Sequence, residues 1–149
     1  MLAPRSRLTC DGPHGPPTFS HRRVTLAAHG GTEIKTMGDG FMASITSASS
    51  ALDAAIAMRQ AITAHFAESE TPIRIRVGIN AGEPIEEDDD LYGASVIRAA
   101  RVMGQADGGE VLVTNVVREL VEGKDYLFSQ RGEVDLKGFE EAVRLFEVP

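Results

Sequence analysis

The sequence predicts an α/β domain in which a mixed sheet is covered by helices on one face. Three segments carry that prediction. Ile73, Ile75, Val77, Ile79 and Ala81 alternate with Arg74, Arg76, Gly78 and Asn80, which is the period of a strand with one apolar face. Leu52, Ala55, Ile56, Met58, Ile62 and Phe66 fall on one arc at helical spacing, with Arg59 the one misfit. Asp39-Gly40 sits between two short apolar runs, a hairpin signal.

The elements follow in order. Residues 1–19 read as an irregular leader, because Pro4, Gly12, Pro13, Gly15, Pro16 and Pro17 interrupt them too often for helix or strand. Ser20 is placed to cap a short helix that ends at Gly30-Gly31. The hairpin arms at 33–36 and 41–45 come next, then the long helix, then the alternating strand opened by Pro72. Glu86 to Asp90 read as an acidic loop leading into a helix from about Gly93 to Ala106. A short strand at Val111–Val113, a helix capped by Thr114, and strands near 126–128, 134–136 and 143–148 complete the chain. With no internal repeat or linker, residues 20–149 form one domain.

Composition narrows the class. The chain has 149 residues, enough to bury about two thirds of its unfolded surface. A formal charge of −7 argues against nucleic acid or an anionic membrane as partner, since both reward clustered Lys and Arg. One cysteine, Cys10, excludes an internal disulfide. No apolar run approaches a membrane span, so a cytoplasmic protein is the expectation.

On physical grounds alone, Asp39 is a carboxylate on a tight, glycine-flanked turn. Such a turn offers a hard cation oxygen ligands and an open approach, and it is also ordinary turn chemistry. Its context decides between the two. The stretch GGTEIKTMGDGFMAS (30–44) resembles the hairpin of class III adenylate/guanylate (nucleotidyl) cyclase domains of the bacterial type. IRIRVGINAGEP (73–84), DLYGASVIRAARV (90–102), GGEVLVTNVV (108–117) and LKGFEEAVRLFEV (136–148) follow in that family's order. The resemblance covers residues 22 to 149. It implies a ferredoxin-like sandwich with a mixed, mainly antiparallel sheet, working as a head-to-tail homodimer with two sites at the interface. It implies attack of a ribose 3′-hydroxyl on the α-phosphorus of a nucleotide, with Mg2+ or Mn2+ holding the attacking and leaving oxygens.

Each site residue follows from the resemblance. Asp39 corresponds to one of two metal-binding aspartates. Lys35 and Asp90 correspond to the purine-selecting pair, and lysine with aspartate implies ATP as substrate. An ammonium donates to adenine N1 and a carboxylate accepts from the 6-amino group, whereas guanine presents the opposite polarity. Asp90 ends a run of three aspartates, so a slip of one residue would change which of them matters. Arg101 corresponds to the arginine that stabilises the transition state, for which a planar, permanently charged fork is suited. Lys137 corresponds to a lysine on the terminal phosphates.

Two departures bear on activity. Where the family places an asparagine four residues before the arginine, this chain has Ile97, which cannot hydrogen-bond the ribose. The family's opening strand, which carries F-x-D and the other metal aspartate, is not evident. RLTCD (7–11) is the one candidate, and it lies too close to Asp39 in sequence for the usual long helix. The expectation is a domain lacking its first metal-binding strand. Two explanations stand: a cyclase chain that begins inside the first helix, favoured by the retention of Lys35, Asp39, Asp90 and Arg101, or a degenerate domain that binds nucleotide or a partner without turnover.

Overall fold

Alternation and helical periodicity give the elements, and the sheet order decides what they position. A computed structural model of the chain describes residues 5–11, 16–37 and 40–149, with side chains for 22–36 and 40–149. The elements run β1 (Arg5–Asp11), α1 (Pro16–Ala28), β2 (Gly31–Met37), β3 (Gly40–Ile45), α2 (Ala48–His65), β4 (Arg74–Asn80), β5 (Ile85–Glu87), β6 (Asp90–Tyr92), α3 (Ala94–Gly104), β7 (Val111–Thr114), α4 (Asn115–Leu120), β8 (Ser129–Val134) and β9 (Val143–Glu147). Seven strands form one sheet in the order β2-β3-β1-β4-β7-β9-β8, and β5 pairs with β6 as a separate hairpin. Every pairing is antiparallel except that of β4 with β7. The mixed, mainly antiparallel α/β fold is thus as the sequence predicts.

The amino-terminal segment differs from the expected leader. Arg5–Asp11 is a strand inside the sheet, paired with β3 on one side and β4 on the other. The short helix expected to be capped by Ser20 begins four residues earlier, as α1, so Ser20 lies within the helix rather than capping it. Pro16 and Pro17, read as breakers, open α1, where a helix tolerates proline because first-turn N–H groups have no intrahelical partner. A helix of 13 residues spans about 20 Å, enough to return the chain to the hairpin.

The helices are also arranged differently from the single layer expected. Leu26 of α1, Leu52, Met58 and Ile62 of α2 and Val117 of α4 share one core with Ile75, Val77 and Ile79. Val102 of α3 packs instead with Leu112 and Leu145 on the opposite face. Gly78 makes that second layer possible. A Cβ there would lie 2.3 Å from the Met103 backbone nitrogen, so α3 rests directly on the β4 backbone.

The acidic loop is a hairpin. Glu87 pairs with Asp90, leaving Asp88 and Asp89 as a two-residue turn with φ of 50° and 59°. Left-handed values at both positions define the primed turn whose twist suits a hairpin, and Asn-Gly is its preferred sequence. Replacing Asp88-Asp89 with Asn-Gly is expected to raise the thermal midpoint by roughly 2–4 °C, since relieving this backbone is worth about 1 kcal/mol. A lower midpoint by calorimetry would contradict the turn assignment.

Candidate active site

Lys35 and Asp90 lie 55 residues apart in sequence and meet in the fold. Lys35 stands on β2 just past a register shift between Glu33 and Lys35, an irregularity of the kind that re-aims side chains at functional sites. Its Nζ donates to Asp90 Oδ2 at 2.8 Å. The other carboxylate oxygen, Oδ1, accepts from the Leu91 backbone N–H at 2.7 Å. Since Asp88 and Asp89 are consumed by the turn, Asp90 is the member of the run that faces Lys35. The hydrogen bond from Lys35, then that from the Leu91 amide, hold the Asp90 carboxyl below its usual range, so it stays ionised at neutral pH. Tyr92 stands two residues along β6 with its ring under the same ammonium, 5.6 Å from Nζ to centroid. Its phenol is raised above the usual value, first by its hydrogen bond to Asp90 and then by that carboxylate's charge.

Helix α3 carries the next candidates. Ala99, Val102 and Met103 face the sheet, while Ile97 and Arg101, one turn apart, are exposed. A buried network fixes the start of this helix: Thr114 Oγ1 donates to Asn80 Oδ1 at 2.9 Å, and Asn80 Nδ2 donates to the Ser95 carbonyl at 3.0 Å. Asn80 and Thr114 sit at the ends of the parallel strands β4 and β7, so the network ties α3 to the middle of the sheet.

Lys137 is exposed in the turn between β8 and β9. Phe139, two residues on, lies under the Arg98 guanidinium at 4.6 Å. Arg98 is partly buried and connects α3 to the Lys137 turn. Among the described residues, neither Arg101 nor Lys137 has an ion pair or hydrogen bond to its side chain.

Asp39 lies outside the described residues. Its neighbour in sequence, Gly40, pairs with Thr9 of β1, so Asp11, two residues further along β1, ends that strand at the hairpin-tip end of the sheet. On its other side Asp11 is in register with Arg74.

The chain belongs to the family described as the adenylate and guanylate cyclase catalytic domain, whose model matches residues 18–148. Among curated proteins it is 36% identical over 124 residues to the putative adenylate cyclase 3 of Rhizobium meliloti, covering 81% of this chain and 21% of that protein. It is 32% identical over 119 residues to the pH-sensitive adenylate cyclase MT1302 of Mycobacterium tuberculosis, covering 77% of this chain and 29% of that one. The chain therefore spans less than a third of either relative's length. In fold it is similar to the adenylate/guanylate cyclase/hydrolase of Silicibacter pomeroyi, with a TM-score of 0.86 at 24% identity over 100% of this chain and 97% of that one. The adenylyl cyclase CyaB of P. aeruginosa gives 0.82 at 21% identity, over 100% and 95%. Among the described residues no helix is long and apolar enough to cross a membrane.

Sequence reasoning missed Tyr92, Asn80 and Arg98 as parts of this arrangement. Tyr92 had a signal, since an aromatic two residues from a candidate acidic residue in a strand shares its face. Asn80 and Arg98 had none short of the fold.

Proposed function

We propose that this domain converts ATP to cyclic AMP and pyrophosphate in intracellular signalling, as a homodimer with its sites at the interface. The observation that carries the reading is the Lys35–Asp90 pair at 2.8 Å, an adjacent donor and acceptor matched to adenine N1 and the 6-amino group. Asp90 is ionised at neutral pH and so acts as acceptor only. Arg101 and Lys137, both exposed and without partners among the described side chains, are available to the triphosphate of a nucleotide held by a second copy. Arg101 binds the α-phosphate oxygens where charge develops, and Lys137 binds the leaving pyrophosphate.

Asp39 would hold Mg2+ or Mn2+. Such a cation supplies positive charge to the phosphate oxygens and lowers the pKa of the attacking hydroxyl. Ile97 leaves the ribose without a side-chain hydrogen bond, so turnover is slow relative to a site carrying asparagine there.

The test uses cyclic AMP release from ATP with Mn2+ at high protein concentration. Asp39→Ala and Arg101→Ala should each lose turnover. Mixing the two should restore about a quarter of the wild-type rate, because half of the dimers then carry one intact site of two. Turnover by Asp39→Ala equal to the wild type overturns the metal assignment, and no recovery on mixing overturns the shared site. ATP binding by the wild type without product favours a non-catalytic, nucleotide-binding module, the reading that Ile97 specifically supports.

A further inference from the structure

The Lys35–Asp90 pair poses a problem for any base that enters. The two side chains satisfy one another, with Nζ 2.8 Å from Oδ2. To receive adenine, Lys35 must exchange the carboxylate for the ring nitrogen N1, and Asp90 must exchange the ammonium for the 6-amino group. A lysine released from its carboxylate has four flexible bonds and a strong preference for water. Both pairing partners are partly solvent-exposed, at 35% and 23% of their side-chain surface, so release to solvent competes directly with transfer to the base.

Tyr92 is placed to bias that exchange. Its ring centroid is 5.6 Å from Lys35 Nζ, inside the range where a cation is held by the face of an aromatic ring. The residue is 48% exposed on a strand of only three residues, so it contributes little to the core. Leu91 beside it is the residue that β6 buries. The ring, unlike the carboxylate, is not consumed by the base: it holds the ammonium before and after the exchange.

We propose that Tyr92 is a specificity-determining positioning residue, whose ring carries the Lys35 ammonium as it moves from the Asp90 carboxylate to the N1 acceptor of adenine. Guanine presents a donor at N1 and gains nothing from a cation held there, so the ring favours adenine over guanine rather than nucleotides in general. This rests on the reading of Lys35 and Asp90 as the base-selecting pair.

The test measures binding alone, by calorimetry with Mn2+ and either 3′-deoxy-ATP or 3′-deoxy-GTP, which lack the attacking hydroxyl. Tyr92→Phe keeps the ring and should hold the ATP-to-GTP affinity ratio within about twofold of the wild type. Tyr92→Leu keeps apolar bulk without the ring and should lower the ratio roughly two- to fivefold, through the adenine analogue alone. Thermal midpoints of both variants report whether the hairpin still folds. A ratio unchanged by Tyr92→Leu, or both analogues weakened equally by it, overturns the inference while leaving the cyclase reading intact. Binding of neither analogue by the wild type overturns the base-selecting pair itself, and this inference with it.

Discussion

Ile97→Asn is expected to raise cyclic AMP formation roughly a hundred- to a thousandfold, the range associated with one preorganised hydrogen-bonding group at a reacting centre. The position is prepared for the change. Ile97 is 49% exposed, so an amide there incurs no burial penalty, and the intrinsic helix preference of asparagine is only a few tenths of a kcal/mol below that of isoleucine. It stands one turn before Arg101 on a helix whose opposite side is locked against the sheet by Ala99, Val102 and Met103. Both side chains therefore leave the same face of α3 toward whatever approaches it.

The kinetic signature separates this from a nonspecific gain. An amide that contacts the ribose as the 3′-hydroxyl attacks acts chiefly in the transition state, so kcat rises while KM for ATP changes little. Ile97→Ala removes the same apolar surface without supplying hydrogen bonds and should leave the rate near that of the wild type. Adding Arg101→Ala to Ile97→Asn should remove most of the gain, because the two groups act on one reacting centre. A rate unchanged by Ile97→Asn would show that residue 97 does not face the ribose.

What the sequence could and could not reveal follows from how each feature is encoded. The strand at 74–80 and helix α2 were legible because their apolar periods are uninterrupted. Strand β1 was not, because RSRLTCD alternates weakly and the two prolines after it read as breakers when in fact they open a helix. Three consecutive aspartates are equivalent in one dimension. Only backbone conformation distinguishes them, since Asp88 and Asp89 adopt left-handed values and Asp90 does not. Lys35 and Asp90 could be linked only by resemblance, because no local pattern reports a contact between two hairpins remote in sequence. The Arg98–Phe139 contact likewise depends on how α3 lies over the sheet, and nothing local announces it.

Helix α3 links the features on which turnover depends. The helix carries Ile97 and Arg101, is held at its start by Asn80 and Ser95, and reaches the Lys137 turn through Arg98. Its placement is a property of the sheet beneath it, and one atom on β4 is enough to disturb it.

Gly78→Ala is accordingly expected to destabilise the domain by about 3 kcal/mol, the upper part of the usual range for overpacking. The added methyl would lie 2.3 Å from the Met103 nitrogen, 2.7 Å from the Ala99 oxygen and 2.7 Å from the Met103 Cα. All three are backbone atoms of α3, so no side-chain rotation relieves the contact and the whole helix must rise. Gly78 cannot retreat either, because it is in register with Arg7 of β1 on one side and Leu112 of β7 on the other. The thermal midpoint should fall by roughly 6–12 °C, the shift that such a loss produces in a domain of this size. Met103→Ala added to Gly78→Ala should not rescue it, since the offending atoms are in the main chain. Gly104→Ala provides the control: at the end of the same helix nothing lies within 4 Å of a built Cβ, and stability should hold or rise slightly. A Gly78→Ala midpoint equal to that of the wild type would mean that α3 does not rest on β4 as described, and the exposed face assigned to Ile97 and Arg101 would lose its foundation.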